Sequence, residues 1–148
     1  MLKKAVFCLS LLATASSAYA NEAIAYKDEF ETQYVQCIQS KLASECWDKV
    51  FSGHFDPWQA KEKELISKSQ SVLSAWIGQH DLYKVHLGVK ETKGEVFENR
   101  TYLIERDDGA LVGLHVGFRQ VKGEWFVYEL MSGSDDAFIR SILHMPKI

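Results

Sequence analysis

Asn99, Thr101 and Glu129 interrupt runs of apolar side chains in the second half of the chain, and chemistry is sought there first. A carboxylate lodged in an apolar surface is pushed toward its neutral form by desolvation, so Glu129 is the candidate general base. His86, Arg100, Tyr102, His115, Arg119 and Tyr128 lie in the same region. They form a mixed polar and aromatic set, and Tyr and Arg concentrate binding energy at protein contacts. The two histidines fall two strands apart and one pleat out of step, about 10 Å or more by strand spacing, too far to share one ion. His54 and His80 stand beside helix ends and His144 near the C-terminus, where surface exposure or capping is their expected use. There is no Ser-centred elbow, phosphate-cradling glycine loop, HExxH or paired-carboxylate motif. No metal and no cofactor is expected.

Cys37 and Cys46 are nine residues apart, and no Cys or His pair at zinc-ligand spacing accompanies them. They are expected to be bridged across a helix–turn–helix, provided the chain enters an oxidising compartment. The first twenty residues supply that condition. Lys3 and Lys4 precede an apolar run of about eleven residues, and Ala18–Tyr19–Ala20 presents small residues where signal peptidase cuts. The run is short of the roughly 20 residues a spanning helix needs. Cys8 sits inside it, away from the cleavage point, so no lipid-modified N-terminus is expected. Residues 1–20 therefore read as a signal peptide, in a style that suggests a Gram-negative periplasm, and residues 21–148 as one mature domain with no membrane anchor.

Cleavage takes the 17 basic residues to 15 against 20 acidic ones, a charge near −5. Such a balance disfavours nucleic acid and anionic membrane as partners. A composition of 47% hydrophobic residues with two prolines and nine glycines excludes a long disordered or low-complexity chain.

The elements that must position these side chains follow from periodicity. Over residues 22–42, Phe30, Tyr34, Cys37, Ile38 and Leu42 recur at three- and four-residue intervals, the stripe of a buried helix face. A short helix carries Cys46, Trp47, Val50 and Phe51. Asp56 and Pro57 read as N-cap and first residue of a third helix, whose stripe runs from Leu65 to Ile77 and stops at Gly78. The period then changes to two. Strands are expected near 83–90, 96–106, 110–121 and 124–131, separated by turns at Lys93–Gly94, Asp108–Gly109 and Lys122–Gly123. A last helix begins near Ser134 and buries Phe138, Ile142 and Leu143. The fold class is α+β: N-terminal helices on a curved four-stranded antiparallel meander, with a C-terminal helix.

Two-residue turns at Asp108–Gly109 and Lys122–Gly123 pair Thr101 with Val116 and Val116 with Glu129. A three-residue turn at Thr92–Lys93–Gly94 pairs Val85 with Thr101. These registers put Asn99, Thr101 and Glu129 on the face under the helices, in a pocket walled by Tyr83 and Trp125. They put His86, Arg100, Tyr102, His115, Arg119 and Tyr128 on the outer face. A one-residue slip would move Glu129 outside. Gly113 and Gly117 are read as permitting strong sheet curvature.

Helices first, then a curved sheet ending in Lys122–Gly123–Glu124–Trp125–Phe126–Val127–Tyr128, resembles the cystatin-like or NTF2-like cone of small secreted bacterial proteins. The resemblance covers roughly residues 21–130, and the C-terminal helix departs from it. It implies a concave sheet with a pocket under the helices, and no particular activity. Three functions are in view. The first is a non-catalytic periplasmic protein that binds a protein or small ligand through the outer sheet face or the cone mouth. A variant is an immunity protein neutralising a cell-wall-directed toxin. The third is a small hydrolase or isomerase with Glu129 as base.

Overall fold

The computed structural model describes residues 21–148. The expected signal peptide lies outside the described residues. Helix α1 (Lys27–Gln39) leads through a 3-10 turn (Ala43–Glu45) into α2 (Cys46–Phe51) and then α3 (Glu62–Ile77). Strands β1 (Leu82–Lys93), β2 (Phe97–Arg106), β3 (Leu111–Val121) and β4 (Glu124–Gly133) form an antiparallel meander in that order, and α4 (Asp136–Ile142) closes the chain. The protein is thus an α+β fold with helices before and after the sheet.

The helical stripes are buried as the periodicity requires. Phe30, Tyr34, Cys37 and Ile38 of α1, Trp47 and Phe51 of α2, and Ile66, Leu73 and Ile77 of α3 meet Ile104, Val112, Leu114, Val116, Phe118, Val127 and Leu130 of the sheet. Trp47 has no exposed surface, and its indole N–H donates to Ser69 Oγ at 2.9 Å, so the ring is buried without an unmet donor. Cys37 and Cys46 are bonded, with Cα atoms 5.7 Å apart. Helix α3 starts later than Asp56–Pro57 suggested. Asp56 instead lies fully buried beside β4, where its Oδ1 accepts from the Trp58 N–H at 2.9 Å.

The registers differ from expectation at three places, each by a small change in a turn or strand. The second hairpin closes with Asp107–Asp108–Gly109 as a three-residue loop. The Arg106 N–H donates to Ala110 O, and Gly109 takes the left-handed conformation at φ 81°. One extra loop residue turns β2 over. Thr101 therefore pairs with His115, and Arg100 with Val116, so Glu98, Arg100, Tyr102 and Ile104 face the helices. The third hairpin keeps the expected two-residue Lys122–Gly123 turn, but a bulge at Tyr128 then brings Glu129 opposite Gly117 and Leu130 opposite Val116. Glu129 and Met131 consequently point away from the helices. In the first hairpin the loop is three residues long as expected but sits at Gly94–Glu95–Val96, and Val85 pairs with Ile104.

The edge of β4 is covered. Ile24 bridges Trp125, and Phe55 bridges Val127, with the Asp56 N–H donating to Val127 O at 2.7 Å. Strand β1 is the open edge, interrupted by irregularities at Tyr83 and between Leu87 and Lys90, and it carries Lys84, Lys90 and Lys93. Bulges and lysines discourage pairing with another chain. Among the described residues no helix is long and apolar enough to cross a membrane.

Candidate binding surface

Helix α4 packs on the outer face of the sheet, opposite the other helices, and three glycines make its seat. A Cβ at Gly113 would stand 2.7 Å from Ile142 Cδ1, and one at Gly133 2.7 Å from Phe138 Cγ. Gly88 leaves room for Leu143 in the same way, since a Cβ there would be 2.6 Å from its Cδ2. Gly113, expected to serve sheet curvature, serves helix docking. The short helix covers only part of the face, and the remainder carries the side chains of interest.

Asn99, Gly117 and Glu129 form one cross-strand row on this face, and Thr101, His115 and Met131 the next. The turned-over β2 and the bulged β4 each shift by one residue, so the three expected polar residues still share a face. It is the open face, and His115 joins them. The His115 ring lies over Gly117, and its Nε2 meets Glu129 Oε2 at 3.1 Å. A Cβ at Gly117 would stand 3.3 Å from Nε2 and 3.1 Å from Glu129 Cβ, so the bare glycine admits this approach. The hydrogen bond to His115 holds the Glu129 carboxyl below its usual range against the opposing effect of burial. Thr101 Oγ1 accepts from the Val89 N–H at 2.8 Å and so ties down the irregularity in β1.

Beside this cluster the Phe97 and Tyr128 rings have centroids 5.6 Å apart, and the Arg119 guanidinium lies 6.0 Å from the Tyr128 ring. Arg119 Nη1 reaches Asp56 Oδ2 at 2.8 Å. The same loop presents Trp58, 81% exposed, and binds Tyr128 O through the Gln59 side-chain amide at 2.8 Å. Trp58 was not singled out from the sequence. Its signal was a large aromatic placed after Pro57, outside any amphipathic stripe.

The other expected residues lie elsewhere. Tyr83 is exposed at the start of β1, and Trp125 faces the helices with Lys27 Nζ 3.4 Å from its ring. The expected pocket of Tyr83, Asn99, Thr101, Trp125 and Glu129 under the helices is therefore not assembled. His86 is on the outer face but pairs with Glu105 at 2.9 Å. Arg100 and Tyr102, expected on the surface, are buried beneath α1. Arg100 binds Asp28, Glu31 and Glu98 at 2.8–3.3 Å, Lys27 binds Glu98 at 2.9 Å, and Tyr102 donates to Glu31 at 2.5 Å. Tyr34 and Tyr102 bond each other, and burial pushes both phenols well above their usual range. This ionic layer fills the space where the sequence placed a pocket.

A second cluster went unread in the sequence. His80, just past α3, meets Asp107 at 2.9 Å and Asp108 at 3.8 Å in the β2–β3 loop. The hydrogen bond from His80 lowers Asp107, and that from Arg106 holds Asp108 down to about 2. Asp107 thus has a hydrogen-bond partner in His80 and Asp108 an ion-pair partner in Arg106, and the cluster fastens the loop to the helix end. Comparison with known proteins finds no family model that matches the chain and no curated protein with a similar sequence.

Proposed function

We propose that the chain is an exported binding protein that holds a protein partner against the part of its outer sheet face that α4 leaves open. One observation carries this reading. Phe97, Tyr128 and Arg119 form a partly exposed surface beside the polar row of Asn99 and Glu129, and the loop bound to Tyr128 O presents the exposed Trp58. Exposed Trp, Tyr and Arg together are the composition of an interface centre. The signal-like leader and the disulfide support export, with the periplasm as the compartment. The order of helices and strands supports kinship with the cystatin-like or NTF2-like fold.

Glu129 favours binding over catalysis. It faces solvent on an open surface, and a carboxylate held ionised by His115 accepts hydrogen bonds well and takes up protons poorly. The experiment is chemical crosslinking in an envelope extract from a photoreactive group placed at residue 97. A discrete crosslinked protein, lost on Trp58→Ala and Tyr128→Ala, is the expected result. Crosslinks that survive both substitutions would refute the surface assignment.

A further inference from the structure

Two donor atoms meet above Gly117, and a third, Asn99 Oδ1, borders the same space. His115 Nε2 and Glu129 Oε2 are 3.1 Å apart. Two protein ligands of one zinc-type ion, each about 2.0–2.2 Å from it, stand roughly 3.0–3.5 Å from each other at octahedral to tetrahedral angles. The pair therefore already has the spacing of two ligands. Asn99 flanks Gly117 from β2 as Glu129 does from β4, and its Oδ1 would be 3.6 Å from a Cβ at Gly117. Glycine keeps the space between the three bare. The His115 side chain is 10% exposed, so the sheet fixes its direction, while the Glu129 side chain is 46% exposed and leaves the outward side of the group open.

We propose that Asn99 Oδ1, His115 Nε2 and Glu129 Oε2 bind one divalent ion of the zinc class, with a further coordination position directed at the uncovered sheet face. One imidazole nitrogen with a carboxylate and an amide oxygen is a borderline donor set. It suits zinc and its neighbours better than calcium or magnesium, which take oxygen ligands, or copper(I), which takes sulfur. Separating His86 from His115 had excluded an ion shared by those two. It did not exclude one held by His115 and Glu129, which the expected register put on opposite faces. The rival cluster of His80, Asp107 and Asp108 has its ligand atoms within 4.8 Å, but Arg106 sits 2.6 Å from Asp108 and opposes a second cation there.

An ion at this site does not depend on a protein partner, so its test is separate. Zinc chloride is titrated into the untagged protein by calorimetry, with equilibrium dialysis for stoichiometry. One equivalent should bind. Changes beyond the ligands themselves cost metal affinity roughly 10–100-fold, so His115→Ala and Glu129→Gln should each cost at least about tenfold. Asn99→Ala should weaken binding less, and His80→Ala should leave it unchanged. Glu129→Gln and Asn99→Ala alter side chains at the open surface, so they remain informative if His115→Ala fails to fold, which circular dichroism will show. Absence of saturable zinc binding, undiminished binding by Glu129→Gln, or binding that His80→Ala abolishes would each overturn the assignment.

Discussion

Arg119 reaches over β4 to an aspartate with no exposed surface, and this single pair changes how the surface has to be probed. Removing the guanidinium leaves Asp56 buried with only a backbone N–H for company. Arg119→Ala should therefore lower stability in urea by about 2–3 kcal/mol, toward the lower end for a broken buried pair because Arg119 itself is partly exposed. A binding defect in that variant would be confounded by folding. Trp58→Ala removes an exposed ring and Tyr128→Ala a half-buried one instead. They should leave the unfolding midpoint nearly unchanged while weakening partner binding by about 1–3 kcal/mol each, the range of interface hot spots. The outer-face placement of Tyr128 and Arg119 was legible, because aromatic and guanidinium side chains stand out among alternating strand residues. Arg100 and Tyr102 were misread by the same logic. Nothing local distinguishes an exposed arginine from one buried against Asp28 and Glu31 of the distant helix α1.

At the level of elements, α4 depends on glycines more than on its own length of seven residues. Gly113→Ala would drive a methyl into Ile142 and Phe138. It should displace α4 at a cost of about 1–3 kcal/mol, the usual range for overpacking. Limited proteolysis should then cut near residues 134–144 while hydrogen exchange shows the sheet still protected. Replacing Cys37 and Cys46 by serine should cost about 2–3 kcal/mol by the loop-entropy estimate and leave the sheet intact. Part of that loss should be recovered, because Lys41, Leu42, Ser44 and Glu45 all hold positive φ in the closed loop and can relax once it opens. Helices, strands and their order were legible because periods of 3.6 and 2 mark which residues are buried. Strand orientation was not. Asp107–Asp108–Gly109 and Asp108–Gly109 are both acceptable hairpin loops, and the one-residue difference reverses a whole strand. The bulge at Tyr128 has no sequence signature, yet it decides which face Glu129 occupies.

For the whole molecule, the ionisable groups set a working range of pH. Asp28, Asp107, Asp108 and Glu129 are held below their ordinary values, chiefly by hydrogen bonds to Arg100, His80, Arg106 and His115 respectively. Groups with depressed folded values contribute stability above the unfolded pKa and lose it as pH falls through the folded one. The contribution should fade from about pH 4 to about pH 2, modestly and less in high salt because most of these groups are exposed. Tyr34 and Tyr102 are shifted the opposite way. Their contribution is complete below about pH 10, the unfolded value, and is lost above it as the unfolded chain sheds phenolic protons. Urea midpoints measured across pH should form a plateau between these limits, and Tyr102→Phe should soften the alkaline edge. The two faces of the sheet divide the labour: one is filled by helices and an ionic layer, the other is half covered by α4 and half open for contact. The most direct test of that division is quantitative affinity capture from an envelope extract, comparing the wild-type protein with Tyr128→Ala on the open face and Lys63→Ala on exposed α3. Loss of the captured protein by at least about tenfold with Tyr128→Ala, and full retention with Lys63→Ala, is the expected result. Equal capture by wild type and Tyr128→Ala would contradict the assignment of the open sheet face as the working surface.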